Sequence, residues 1–530
     1  MKNQFPALND VSTSFVAQHA EDITAVLHCW DRLRFMGSVS LLQRPAGVMM
    51  WLFQLGVLLK NFAAWSKACT ERLREHSLEL ARAAGQSAVT YLRDSSARKD
   101  ELARAQAQAR GLTEGLIGVW SALEPCSTYF VRGDRASHHL CLKREPGKCL
   151  HYYFYFLHPQ CGLLHVRLQS WLPYTVTVCL NGHEWLARQM DAAGLRYERC
   201  GNAFRWLEKP AAAQALADAQ LQCAWPALLD GLVAQCHPLR QVLCEPVDQA
   251  YYWSLKESEF STDLLFRSEA ALARLYPQLL HFGIEHFGSR EILRFLGKRV
   301  PAEGCPANFH GEAQSTLRAR PEGVRIKHFV AGNSVKMYDK EGCILRVETT
   351  INRPKEFRVF RESTSASAPA WRPLRKGIAD LHRRAEVSRA ANARCLEAYA
   401  AVPLPRRTGE VADTIFRPVV EEGRRYRALQ PWSPKDGPLL DLLNDGAWLL
   451  NGFRNRDLRP RLFPGPHSEK EEKRLAARVS RLLRLLRAHH LIKKVPKTHR
   501  YQVTTRGREI VAALQTARRT NLDALLKDAA

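Results

Sequence analysis

Closely spaced cysteine pairs are missing from this sequence. It carries 14 cysteines but no CxxC, and the nearest pairs, Cys141 with Cys149 and Cys236 with Cys244, are well separated. A structural zinc site needs short ligand pairs because four ligands must converge at little entropic cost, so the thiols read as reduced core filler. No apolar run approaches the roughly 18 residues of a membrane span. The longest, Gly47–Leu59, is interrupted by Gln54 and bounded by Arg44 and Lys60, and reads as a buried helix. The opening residues, MKNQFPALND, lack the apolar core and cleavage site of an export signal, so a cytoplasmic protein is expected. Phosphate-loop, dinucleotide-loop, GxSxG and HExxH signatures are absent, which takes support from ATPases, dehydrogenases, esterase-type hydrolases and zincins.

Acids are the other shortage: 53 Asp and Glu against 78 Lys and Arg, a net charge of +25. That excess points to a polyanionic partner, nucleic acid first and DNA before RNA. An anionic membrane surface comes last, because no basic segment has the broad apolar face that insertion needs, and no membrane partner is expected. With 46% hydrophobic and 25% charged residues the chain is globular, and 530 residues imply several domains. The expected class is multi-domain α+β. A helical N-terminal domain (1–130) contains Asp22–Arg34, Gly47–Trp65 and Lys67–Arg93. A central α+β body with an antiparallel sheet spans 131–370, opening on the polar stretch Val131–Lys148. A basic helix and linker cover 371–435, and the last domain spans 436–530. No internal repeat is visible.

Charge concentrates at the C-terminal end. From Trp371 to Ala530 there are 34 Lys/Arg against 17 Asp/Glu, and between Lys473 and Arg508 no acid at all. Ser468–Leu491 reads as a long capped helix. Leu475, Val479, Leu482, Leu483 and Leu486 form its apolar stripe, and Arg474, Arg478, Arg481, Arg484 and Arg487 line much of the rest. Leu491–Val495 and Arg500–Thr504 then alternate as two strands before a further helix. Helix, basic hairpin, helix over about 436–520 resembles the winged-helix family of DNA-binding domains, with Asn451–Arg461 as the positioning helix and turn. The resemblance implies that Arg481, Arg484 and Arg487 enter a groove and that Lys494, Lys497 and Arg500 touch phosphates from the wing. Arg474, Arg478, Lys493, Arg454 and Arg456 complete the expected nucleic-acid surface. A winged helix serving protein–protein contact is the competing reading.

The strongest strand signal is VRIKHFVAGNSVKMYDKEGCILRVETTI, residues 324–351. A Gly332-Asn333 turn would pair Lys327 with Tyr338, and a three-residue loop at 341–343 would set Met337 opposite Val347. One face then carries Val324, Ile326, Val330, Val335, Met337, Leu345 and Val347. The other carries Arg325, Lys327, Lys336, Tyr338, Lys340, Arg346 and Glu348, with Tyr338 between Lys327 and Arg346. Two cations would favour the phenolate and hold a phosphate, and a carboxylate would orient an arginine or bind a divalent metal. Tyr338, Lys336, Lys327 and Arg346 are therefore the catalytic candidates. Glu348, with Glu259 and Asp263, is the candidate ligand set for Mg or Mn. Within Tyr251–Phe266 those acids share a face on a helix or on a strand, and solvated acids in a loop are the plainer account.

The string KMYDK…LRVETT resembles strands of rolling-circle plasmid and phage replication initiators, which nick DNA through a tyrosyl-phosphate bond. It covers about 20 residues, and the His-hydrophobic-His metal motif of most such nucleases is absent. The whole chain also resembles a bacterial family of hypothetical proteins, which supplies no mechanism. The expectation is a DNA-processing protein of mobile-element or replication type. The alternative is a regulatory or structural protein that binds nucleic acid through the winged helix and basic sheet without cutting it. His138-His139 and His489-His490 read as surface pairs.

Overall fold

The segment expected as the first helix is a strand. Leu27, Cys29, Leu33 and Phe35 are buried at strand spacing, but a β-bulge between Trp30 and Arg32 inserts Asp31 and breaks the alternation. The bulge makes apolar residues recur at Leu27, Trp30 and Leu33, which imitates a helical stripe. The computed structural model describes residues 14–514 apart from 95–97, 134–138, 302–305, 307, 308, 310, 321, 322, 364, 365, 403–414, 422, 444–451, 497, 505, 509 and 512.

The fold is α+β and divides into two units, residues 1–402 and 403–530. In the first, a short helix α1 (Ser14–Gln18) precedes β1 (Ile23–Ser38). Helices α2 (Pro45–Gln54) and α3 (Phe62–Ala83), a two-residue edge strand β2 (Thr90–Tyr91) and helix α4 (Lys99–Ala109) follow. The chain then runs as an antiparallel meander, β3 (Gly115–Gly133), β4 (Leu140–His158), β5 (Gly162–Gln169) and β6 (Val176–Leu180), whose last strand pairs with β1. Of the polar stretch at 131–148, expected as a domain boundary, residues 131–133 and 140–148 belong to the paired arms of β3 and β4.

Helix α5 (Gly182–Ala192), the hairpin β7 (Tyr197–Cys200) and β8 (Ala203–Leu207), and helices α6 (Pro210–Ala219), α7 (Trp225–Cys236) and α8 (Arg240–Cys244) lead to β9 (Tyr252–Phe266). Then the pattern recurs. Helices α9 (Glu269–His286) and α10 (Ser289–Phe295) are followed by the meander β10 (Gln314–Arg320), β11 (Gly323–Val330), β12 (Asn333–Lys340) and β13 (Ile344–Ile351), whose last strand pairs with β9. β1 and β9 join antiparallel, giving one eleven-stranded sheet in the order β10-β11-β12-β13-β9-β1-β6-β5-β4-β3-β2. Outward from the centre both halves read alike, so the repeat absent from the sequence is present in the topology.

After β13, β14 (Arg358–Ser363) and β15 (Ala366–Pro373) form a hairpin where a loop is expected, and helix α11 (Leu381–Tyr399) crosses β13 and β9. α11 is less a basic surface helix than a buried brace. Arg384 is buried and donates to Ser258 Oγ at 3.1 Å and to the Leu255 carbonyl at 3.3 Å. Two apolar clusters fill the helix-covered sides of the halves, one around Leu33, Phe154 and Val178, the other around Leu264, Met337 and Val347.

α5 starts where the chain presses on β1. Asn181 caps it, accepting from the His183 and Glu184 amides at 2.8 and 3.1 Å. A Cβ on Gly182 would lie 2.2 Å from the Trp30 carbonyl oxygen. Gly182→Ala is therefore expected to push α5 off β1 and cost about 1–3 kcal/mol by overpacking. Urea titration followed by tryptophan fluorescence checks this, and an unchanged midpoint would refute it.

The second unit has its own core around Leu439, Leu458, Val479, Leu486 and Ile492. A hairpin, β16 (Val419–Glu421) with β17 (Arg424–Tyr426), precedes helix α12 (Gly437–Leu443), strand β18 (Phe453–Arg454), helix α13 (Asn455–Leu462) and the long helix α14 (Glu469–Ala488). Ser468 caps α14 in a reciprocal box with Glu471. Strands β19 (Ile492–Lys494) and β20 (Arg500–Val503) follow, and β18 adds to β20 to make a three-stranded sheet. His489, expected at the surface, is 3% exposed, its Nε2 2.9 Å from the Arg427 carbonyl.

Candidate functional site: a buried charge cluster at the sheet centre

Register decides what meets at the centre. The β12–β13 pairing is the expected one, with Met337 opposite Val347, Tyr338 opposite Arg346 and Lys336 opposite Glu348. The β11–β12 hairpin differs by two residues. Its turn is Ala331-Gly332, both at positive φ (49° and 81°), and Asn333 begins the strand opposite Val330. Buried Asn333 instead clamps the chain beyond β13, its Oδ1 accepting from the Asn352 and Arg353 amides at 3.0 and 2.9 Å. A two-residue shift keeps every side chain on its face but moves its neighbours. Arg325 now faces Tyr338, and Lys327 faces Lys336. Lys327 is thus not beside the tyrosine. It is half-buried, with its pKa lowered by burial and by Lys336.

The polar face is a buried cluster rather than an open basic surface. Glu259 and Asp263, whose plainer account was a solvated loop, lie on β9 at 8% and 1% exposure. Arg346 is fully buried. Its Nε and Nη2 grip the two Asp263 oxygens at 2.6 Å each, its Nη1 reaches Asp31 Oδ1 at 3.0 Å, and Nη2 donates to the Asn202 carbonyl at 3.0 Å. His183 Nε2, from the first turn of α5, stands 3.1 Å from the same nitrogen. With its donors engaged, Arg346 is a structural clamp rather than the phosphate clamp expected, and Asp263 is committed to it rather than to a metal.

Lys336 lies between two acids, 2.6 Å from Glu348 Oε1 and 3.2 Å from Glu259 Oε1. The Tyr338 hydroxyl donates to Glu348 Oε2 at 2.8 Å. Burial and then Glu348 push the Tyr338 pKa well above its ordinary value, the reverse of the phenolate expected from flanking cations. Burial, Glu259 and Asp31 outweigh Lys336 and raise the Glu348 carboxyl to about 7.

Three carboxylates converge there. One oxygen each from Asp31, Glu259 and Glu348 lie within 4.8 Å of one another, the spacing of a cation site. Glu259 and Glu348 come together as the sequence implied. Asp31 takes the place expected for Asp263, and its only sequence signal was a lone acid inside an apolar run, which the bulge turns onto the polar face. Arg32, the next residue, is 3.8 Å from both Glu257 and Glu259.

In the C-terminal unit Arg474, Arg478, Arg481 and Arg484 are exposed along α14, with Arg478 stacked 4.9 Å from the Phe463 ring centre. Arg487, Arg454 and Arg500 are half-buried, Lys493, Lys494 and Arg456 are exposed, and Lys497 lies outside the described residues. Four cations were missed. Arg424, Arg425, Arg427 and Lys435 come from the stretch read as linker and, with Arg478, Arg481 and Arg484, line a cleft of about 640 Å³. Asp436 anchors Arg427 through two oxygens at 2.6 and 2.7 Å. The Arg-Arg-x-Arg string was the available signal. Among the described residues no single helix is long and apolar enough to cross a membrane. No family model, curated protein or solved structure matches this chain, so the chemistry of the site rests on its own groups.

Proposed function

We propose that the protein processes nucleic acid, the C-terminal unit gripping DNA and the sheet centre cutting a phosphodiester at Tyr338 with a divalent cation. The observation that carries this is the Tyr338–Glu348 contact beside three converging carboxylates. A carboxyl titrating near 7 is matched to a base working at neutral pH. Tyr338 Oη passes its proton to Glu348 and attacks phosphorus. The new P–O bond joins phosphorus to Oη, the bond to the departing nucleotide oxygen breaks, and that oxygen takes a proton from water. Asp31, Glu259 and Glu348 would hold Mg or Mn, which supplies charge stabilisation at the phosphate. A short helix, a long basic helix and a hairpin with a third strand support the winged-helix reading, and cysteines unpaired among the described residues fit a reducing cytoplasm.

A second reading has its own observation. Lys336 and Arg346 are already paired with acids, as a purely structural network requires, leaving a protein that binds without cutting. Incubation with labelled single-stranded DNA and Mn separates the two. Cutting gives a covalent adduct that Tyr338→Phe abolishes, whereas binding alone gives salt-sensitive complexes, identical in both proteins, and no adduct. For the C-terminal unit, Arg425→Glu with Arg481→Glu is expected to weaken duplex binding at least tenfold and reduce the salt slope by about 2, one for each phosphate left without its arginine. An unchanged slope would remove the cleft from the interface.

A further inference from the structure

The first half of the sheet carries a cleft that the chemistry above does not use. It has a volume of about 700 Å³ and lies over β1, β4, β5 and β9 beside α4. Six cations line it, Arg32, Arg34, Arg98, Lys99, Arg167 and Lys256, against three acids, Asp100, Glu101 and Glu124. Two of those acids are consumed in building the floor. Glu124 accepts from the Tyr153 hydroxyl and from Arg167 Nη2 at 2.7 Å, and Asp100 accepts from the Tyr155 hydroxyl at 2.6 Å. The third, Glu101, holds Arg98 at 2.7 Å.

Three of the cations are held loosely or have no acid beside them. Arg34 is 3.5 Å from Glu257, and Arg32 is 3.8 Å from Glu257 and Glu259. Lys256 has no carboxylate at ion-pairing distance among the described residues and lines the cleft, where burial, Arg167 and Arg34 lower its pKa. Even with Glu257 shared between Arg32 and Arg34, and Glu259 beside Arg32, the cleft keeps an excess of positive charge centred on Lys256 over a rigid polar floor, which an anion would offset. A smaller recess shares Arg32, Asp100, Tyr155 and His165 with the cleft and reaches Asp31, one of the three converging carboxylates. The recess therefore links the cleft to one of the three carboxylates, Asp31, on β1. Its volume is that of a small-ligand cleft and far below what a duplex would fill.

We infer that this cleft seats the phosphodiester segment of a single nucleic-acid strand adjoining the phosphate presented to Tyr338, an assignment that rests on the proposed cutting function. Phosphates would lie against Lys256, Arg34 and Arg32, and Arg167, fixed by Glu124, would offer a preset guanidinium.

The test is fluorescence anisotropy of the full chain with labelled tetrathymidylate and, separately, a 20-base-pair duplex. Lys256→Glu is expected to weaken the tetranucleotide at least tenfold, and Lys256→Gln about threefold with the salt slope reduced by about 1, while duplex affinity is unchanged. Arg425→Glu with Arg481→Glu is expected to do the converse. An unaltered tetranucleotide affinity in both Lys256 variants overturns the assignment, as does a wild-type chain that fails to bind the tetranucleotide. Inorganic phosphate or thymidine monophosphate competing as strongly as the tetranucleotide also overturns it, by showing a single-phosphate site. Failure of the cutting reading looks different: no adduct forms, yet Lys256→Glu still loses the tetranucleotide. An adduct with unchanged tetranucleotide affinity removes the cleft alone.

Discussion

Arg346→Met is expected to remove about 3–5 kcal/mol from the unfolding free energy of the first unit. The loss is not the value of the ion pairs themselves. Methionine leaves Asp31 and Asp263 buried without the guanidinium that grips them both, and carboxylates stripped of that partner account for most of the cost. Arg346 holds the Asp263 carboxyl down at about 2 and Asp31 lower still. Groups depressed in this way contribute stability at every pH above their unfolded value near 3.8, and lose it only as the pH falls through the folded value. In the variant both acids rise instead, so the deficit should be larger at pH 8 than at pH 5, where protonation relieves part of it. Arg346→Lys should recover only a fraction, because one ammonium cannot fork across both Asp263 oxygens while reaching Asp31. Adding Asp31→Asn and Asp263→Asn to the methionine variant should recover most of the loss, since neutral amides need no countercharge. Urea titrations at the two pH values decide it. A deficit below about 1 kcal/mol, or one that is larger at pH 5, would mean that water reaches these acids.

What the sequence could tell depended on how local the determining pattern was. The β12–β13 pairing was legible because only one register separates Met337 and Val347 from Lys336 and Glu348. The β11–β12 turn was misplaced because Asn333 is a good turn residue with another task, holding the backbone at Asn352 and Arg353. Strand β1 was hidden by its bulge. With β1 hidden, Asp31 could not be placed, and a site assembled from β1, β9 and β13 was seen only from the β9 and β13 sides. Residues far apart in sequence, such as Asp31 and Arg346, meet only through the order of strands in the sheet, and no local spacing encodes that order. The long helix α14 was legible because its cap, stripe and basic face all lie within one turn-by-turn pattern. The hairpin at Val419–Tyr426 was not, being two three-residue strands whose partner surface is α14 itself.

Glu348 should give the first unit an inverted pH dependence. Its carboxyl ordinarily titrates at 4.5 and is raised to about 7 in the fold, so between these values the folded chain holds a proton that the unfolded chain has released. Stability therefore falls as the pH rises from about 4.5 to 7 and is level above, by about 3 kcal/mol for this group alone. Other groups titrate over the same range, and the comparison that isolates it is with Glu348→Gln. Relative to the natural chain, the glutamine variant should gain about 3 kcal/mol across that interval while losing adduct formation at every pH. In the natural chain, adduct formation should rise about tenfold per pH unit below about 7 and level off above it, following the fraction of Glu348 able to accept the Tyr338 proton. Mg or Mn extends the argument, because a cation held by Asp31, Glu259 and Glu348 competes with that proton. With saturating Mn the plateau should begin at a lower pH, and the stability gap between the natural chain and the Glu348→Gln variant should narrow in the same interval. A pH profile that Mn leaves in place would mean that Lys336, and not a metal, is the only cation these carboxylates take.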